Sequence, residues 1–369
     1  MTVSRRTLLG WLATTVPATS LSMAALLTTG CSQRNGTLLL GGGRFVQPDG
    51  SGQRHVVAVV DIQRQQTDLI DLDFYPHGIH WHPESPNRLA VFEKKGPHAC
   101  ELDLVSRQLT RVIESQPGRY FYGHGVYSAD NQLLFSTETR LDGLDGVMAV
   151  RDANSLAYLG EFPSFGKEPH ECKLIDSGKT LVITNAGGPL DGAAPCVSFV
   201  DVASQQLLER VLLTREDINT GHVAIADDGS LVVVSAPRTG MSVKDNGGVS
   251  IRPQGLPMLS MTSPQAIVDH MTGEALSVVI DNRSGVALVT HPDADMITFW
   301  SIAEQKMVHS LALARPRGTT LTTDGRYFLV SYDRVPKILR IATADVVATP
   351  EMVVDSAYIS GSHLFNWHV

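Results

Sequence analysis

Cysteine is scarce in this sequence, with four in 369 residues. Cys31 ends an apolar leader. The other three, Cys100, Cys172 and Cys196, fit no zinc-ligand spacing, and an odd number cannot all pair within one chain. They read as small buried apolar residues, with a Cys172–Cys196 disulfide the alternative in an oxidising compartment. A CxxCH haem attachment and a GxSxG nucleophile elbow are also missing. The formal charge is −8 and no basic stripe interrupts it, so nucleic acid is not an expected partner. The glycine-rich LLLGGGRF beginning at Leu38 lacks the spacing of a dinucleotide loop and reads as chain reversal at a strand end. The Asp227-Asp228-Gly229 run is turn chemistry rather than a calcium loop.

The leader belongs to no repeat. Paired Arg5 and Arg6 precede an apolar stretch without an acidic residue, the pattern of a twin-arginine export signal. A transmembrane anchor is the competing reading, but Thr, Ser and Pro17 interrupt the stretch. LLTTGC resembles a lipoprotein cleavage box with Cys31 as the lipid-bearing first residue, although Thr28 stands where a branched apolar residue is usual. Both the lipidated and the free form stay open, and one lipid would tether a soluble domain to a membrane face. Loss of residues 1–30 deletes two arginines and no acids, taking the formal charge from −8 to −10.

The remaining chain, 31–369, repeats itself. PHGIHWHPESPNRLAVFEK at Pro76, GHGVYSADNQLLFSTE at Gly123, PHECKLIDSGKTLVITN at Pro169 and GHVAIADDGSLVVVSA at Gly221 share one plan. Weaker copies begin at Gly273 and Arg317. His77, His124, His170 and His222 are 47, 46 and 52 residues apart; steps of 52, 43 and 46 lead on to Glu274, Arg317 and His363. Within each unit, apolar residues alternate with polar ones and turn residues recur every few positions, as in short antiparallel strands. A V-D-x-x-S-x-x-L turn separates the last two strands of several units. Four strands per unit at this period predict a β-propeller. Three strands at the start of the mature chain and one at its end, SHLFNWHV, complete a shared blade. The expectation is therefore an all-β, seven-bladed propeller closed by pairing its terminal strands. Residues 253–273 break the pattern and read as an insertion on the fifth blade. Ile267, Met271 and Leu276 would share one side of a short helix after Pro264, as a lid over one face or as a plain loop.

In a propeller the first strand of each blade lines the central channel. The positions at its mouth form a ring: His77, His124, His170, His222, Glu274, Arg317 and His363. The register is within one residue for His77, His222 and His363, and Ala275 competes with Glu274. His80, His82 and His368 lie further along their strands. Neutral imidazole is the commonest protein ligand for zinc, copper, iron and nickel, so His77, His124, His170, His222 and His363 are candidate metal ligands. Glu171 and Glu274 would add carboxylate, and Arg317 suits a carboxylate or phosphate. Glu168 or Glu171 would be the base if a metal-bound water did chemistry. A ring histidine used only for packing against the next blade is the structural alternative.

SRRTLLG, PHGIHWHP, NRLAVFEKKG, GHGVYSADNQLLFSTE, KEPHECKL and ARPRGTT resemble a bacterial family of twin-arginine-exported propeller proteins of unknown function, over roughly Gly36 to Val369. Members of that family are typically encoded near imelysin-type periplasmic proteins, which implies a periplasmic location and partners in iron or other metal uptake. The ring also resembles, in site geometry only, the propeller domain of nitrous oxide reductase, where histidines hold a copper cluster; the second copper-binding domain of that enzyme is missing here. Three functions follow as expectations. The first is a monomeric periplasmic propeller binding copper, iron or zinc, or a metal chelate, in metal acquisition or handling. The second is a propeller enzyme, either a lactonase-like hydrolase or a redox enzyme, and the third a protein-interaction scaffold.

Overall fold

A computed structural model describes residues 38–47 and 49–367, so the leader with Arg5, Arg6 and Cys31, and His368, lie outside the described residues. The described chain forms seven four-stranded antiparallel sheets. Six are continuous in sequence: 76–114, 119–167, 169–212, 223–260, 278–312 and 319–354. The remaining sheet, blade one, takes three strands from 38–72 and its innermost strand, Phe365–Trp367, from the other end of the chain. Leu38, Leu39 and Leu40 pair with Trp367, Asn366 and Phe365. The expected closure is therefore present, and it completes blade one as a four-stranded sheet like the others. Among the described residues no helix is long and apolar enough to cross a membrane.

Alternation along each strand dictates this arrangement. Successive side chains point to opposite faces, and each face packs on a neighbouring blade. Leu181 and Ile183 join Phe135 and Met148 of blade three, whereas Val182 between them joins Val223 and Val233 of blade five. The apolar core is divided into seven clusters, one per seam between adjacent blades. Turn chemistry fixes the outer hairpins. Asp103, Asp152 and Asp201 each accept hydrogen bonds from the backbone N–H and hydroxyl of the serine three residues on. That is the physical content of the recurring D-x-x-S.

Residues 253–273 contain a single helical turn, Gln265–Val268. Val268 and Met271 enter the apolar seam between blades five and six with Met261, Val249 and Trp300. None of these residues lines the cavity at the histidine mouth. The three cysteines Cys100, Cys172 and Cys196 are buried and unpaired, and burial raises the Cys100 thiol to about 12.

Candidate metal centre

Each inner strand enters the channel beside the second strand of its own blade, and a thirteen-residue offset recurs there. The Thr137 hydroxyl donates to the carbonyl of His124 at 3.1 Å. The N–H groups of Glu171 and Ser277 donate to the hydroxyls of Thr184 and Thr290, and that of Gly318 to Ser331, each at 3.0 Å. The same threonines reach the following blade: Thr137 donates to His170 O at 3.2 Å, Thr184 to Gly221 O at 2.7 Å and Thr290 to Arg317 O at 2.8 Å. These bonds define equivalent positions around the ring. His170 is equivalent to Arg317, and His124 occupies the next position along, with Glu171, Ser277 and Gly318. His222 also falls at this later position, since its carbonyl accepts from Val234 N as Ser277 O accepts from Thr290 N. The histidines thus arrive from two adjacent registers. In blade six the earlier position is held by Leu276, two residues after Glu274.

Blades two and four shift register at the mouth, between Pro76 and Ile79 and between Pro169 and Cys172. Blade three shifts register between Phe121 and Gly125, and Gly123 sits there at φ 130°, where a Cβ would lie 2.4 Å from Cδ2 of His77. Only glycine permits both that backbone and that approach.

The structure brings His77, His124, His170 and His222 together: one ring nitrogen from each lies within 4.8 Å of all the others. His77 Nε2 is 3.3 Å from His170 Nε2 and 3.4 Å from His222 Nε2. His363, part-buried, places its Nε2 3.2 Å from His124 Nε2. Nitrogens arranged tetrahedrally at about 2.05 Å from zinc stand about 3.3 Å apart, so the His77–His170 and His77–His222 spacings match two edges of such a site. The second nitrogens decide which lone pairs are free. His222 Nδ1 is 2.6 Å from the carbonyl oxygen of Leu276, which can only accept, so the proton is on Nδ1 and Nε2 is bare. His77 Nδ1 is 3.1 Å from the Ser362 hydroxyl. Nδ1 of His124 and of His170 is buried without a partner.

Protonation does not resolve the crowding. Burial holds His77, His124, His170 and His363 well below the usual imidazole range and lowers His222 as well. Neighbouring imidazoles and Lys94 push the same way for His77. The result is a set of neutral imidazoles whose Nε2 atoms converge, the protonation state a metal requires.

The other expected residues are placed differently. Glu171 is buried beside the cluster, with one oxygen accepting from Val223 N at 2.7 Å and the other 3.3 Å from Lys173 Nζ. Glu168 accepts from the Tyr120 hydroxyl at 3.0 Å and lies 3.6 Å from Lys95 Nζ. Glu274 and Lys94 line a cavity of about 500 Å³ that has His170 in its wall. Arg317 Nε is buried without a partner, and burial first, then the charge of Arg317, lowers the pKa of Lys94 against the pull of Glu274. His80 lines the cavity at the far ends of the inner strands. His82 is buried outside the cluster, its ring 5.2 Å from that of Tyr127. Sequence reasoning missed Lys94, Ser362 and the Leu276 carbonyl. For Lys94 a signal exists: it stands two residues past the threonine position of the second strand, where blades four and five have Ala186 and Ala236.

The chain belongs to the family described as "Protein of unknown function (DUF1513)", whose model matches residues 71–359. No curated protein matches it. Among solved structures it is similar to hydrazine synthase of Kuenenia stuttgartiensis, at 15% identity and TM-score 0.64, over 83% of this chain and 96% of that one. It is also similar to the dihydro-heme d1 dehydrogenase NirN in complex with DHE, at 14% identity and TM-score 0.56, over 85% of this chain and 66% of that one. A third is the β-propeller domain of Cps50 (Swd1) from Myceliophteria thermophila, at 8% identity and TM-score 0.57, over 82% and 97%. At these identities the likeness is one of fold.

Proposed function

We propose that this chain is an exported periplasmic propeller that holds a transition-metal ion between His77, His124, His170 and His222, with His363 at the edge, and serves metal acquisition or handling. One observation carries the reading. The bare Nε2 of His222 faces Nε2 of His77 at 3.4 Å in a buried cluster whose imidazoles resist protonation. In the metal-free chain this contact is an N–H···N hydrogen bond donated by His77 Nε2, and a cation would take the place of that proton; the all-imidazole set suits copper or zinc, and also iron. The second nitrogen of His222 is already committed to a backbone carbonyl, the outer support that metal-binding histidines use. A role in uptake, with periplasmic metal-uptake proteins as partners, rests on the resemblance to exported propellers encoded near imelysin-type proteins.

The test is elemental analysis of protein exported and purified without chelator or affinity tag, for the parent and for His124→Ala with His170→Ala. Near-stoichiometric copper, zinc or iron in the parent, lost in a folded double variant, is the expected result. No metal in either after reloading would sink the reading and leave a scaffold role. The export part is tested separately: Arg5→Lys with Arg6→Lys should retain the chain in the cytoplasm, and Cys31→Ala should release any membrane-bound fraction. The cavity against His170 favours a second reading, a metal-assisted enzyme. Turnover by the metal-loaded chain would separate the two.

A further inference from the structure

Metal binding at this mouth adds a charge that Glu171 and Glu274, both acting on His222, offset only in part. The four clustered imidazoles are neutral, and no carboxylate belongs to their group. Glu171, next to His170 in sequence, is held by Val223 N and Lys173. A divalent ion there would be a poorly compensated buried charge, which is costly unless an anion joins it.

The cavity beside His170 has Lys94, Lys95 and Arg238 facing Glu168, Glu274 and Asp293 in its wall, so a metal ion at the cluster would add positive charge to a balanced site. Lys94 lies in its wall, and its ammonium forms no ion pair among the described residues. Glu274 offsets it, while Arg317, Lys95 and Arg44 add like charge. Glu168 is engaged by Lys95 and by the Tyr120 hydroxyl. Arg317, behind the cavity wall, has a buried Nε donor with nothing to receive its hydrogen, and its charge acts on Lys94. At about 500 Å³ the cavity is far larger than a halide, and Tyr122, Ala236, Pro237 and Met241 give it apolar wall for a carbon skeleton.

We propose that the metal is held as a ternary complex with a small organic carboxylate, whose charge is met by the ion on one side and by Lys94, backed by Arg317, on the other. The inference rests on the metal reading above. Its substrate class is therefore a metal together with an organic acid, rather than a bare ion. Lys94 has opposite effects on the two components: it attracts the carboxylate and repels the ion.

Cobalt(II) is the metal probe, since its visible spectrum reports a change of ligand, and succinate is the carboxylate. Cobalt affinity of the full mature chain is measured with and without succinate, and again in Lys94→Gln and Lys94→Met. In the parent, succinate should tighten cobalt binding by about tenfold and shift the spectrum, and cobalt should tighten succinate by the same factor. In both variants the succinate effect should vanish, while cobalt binding without succinate stays equal or tightens. Unfolding midpoints of the two variants separate loss of the anion site from loss of fold. Equal cobalt affinity with and without succinate, an enhancement reproduced by chloride, or an undiminished enhancement in the variants would overturn the inference and leave the metal reading standing. Failure of the parent to bind cobalt, copper or zinc at all would overturn both.

Discussion

His222 donates its Nδ1 hydrogen to the carbonyl of Leu276, 2.6 Å away across the seam between blades five and six. That bond fixes the ring orientation and turns the Nε2 lone pair on His77. A second support is the Ser362 hydroxyl at Nδ1 of His77. Outer-shell partners of this kind typically account for 10–100-fold in metal affinity. Ser362→Ala should therefore weaken copper or zinc binding by about 10–100-fold while the fold persists. His222→Ala should abolish stoichiometric binding, and His363→Ala should cost less, because His363 is outside the mutually close four. Competition against a chelator of known affinity checks the order; a Ser362→Ala chain that binds like the parent would remove the supporting role of that hydroxyl.

Gly123 offers a test from the backbone side. Alanine there would be strained at φ 130° and would press on His77. The expected loss is about 1–3 kcal/mol of stability, together with weaker metal binding as His77 is displaced. Gly229, at φ 87° with open space around its Cα, is the control. Gly229→Ala should lose some stability and keep metal binding intact. If both variants bind metal equally well, the close packing of Gly123 on His77 does not position the site.

Much of this could be read from residue order because each blade repeats its own local chemistry. Strand alternation, the Asp-x-x-Ser turns and the complementary terminal strands are short-range signals, and the blade count followed from them. The histidine ring was readable for the same reason, but only to within one residue. Backbone irregularity at the mouths of blades two, three and four leaves His124 in one register with His222 and His77 in the other with His170, and residue spacing does not reveal it. Blade six shows the limit: its ring-equivalent residue is Leu276, and what it contributes is a backbone carbonyl, which has no side-chain signature. Lys94 was hidden because it comes from a second strand, whereas the repeat directs attention to first strands.

Contacts between blades give a prediction independent of metal. Thr184 accepts from Glu171 N and donates to Gly221 O of the next blade. Valine has nearly the same shape, and blade five carries Val234 at the equivalent position. Thr184→Val should therefore fit, yet it leaves a buried N–H and a buried carbonyl without that partner. The expected loss is about 1–3 kcal/mol, read from urea midpoints at constant slope. Thr290→Val should behave alike, since Thr290 makes the same pair of bonds to Ser277 N and Arg317 O. Losses below about 0.5 kcal/mol in both, the range of ordinary surface changes, would mean that apolar packing alone holds the seams.

Acid should unfold the metal-free chain, and the buried histidines set the direction. Burial lowers His80 and His291 to about 3, and it lowers the ring histidines as well. In the unfolded chain these groups take protons near about pH 6.5. Below that value the unfolded state binds more protons than the native state, so stability is full above pH 6.5 and drains away as pH falls toward 3. At pH 5 His80 and His291 should each cost about 2 kcal/mol. The ring histidines act in the same direction, against a whole-domain stability of about 5–15 kcal/mol. Denaturant midpoints of the metal-free chain at pH 7.5 and 5 should differ sharply. His291, which lies away from the mouth with Nε2 2.9 Å from the Thr298 hydroxyl, isolates one share of the effect. His291→Leu should shrink the difference between the two pH values by about 2 kcal/mol. A parent whose midpoint is the same at both values would show that its histidines exchange protons with solvent as freely in the folded state as in the unfolded one, and the picture of a neutral, ligand-ready cluster would have to be given up.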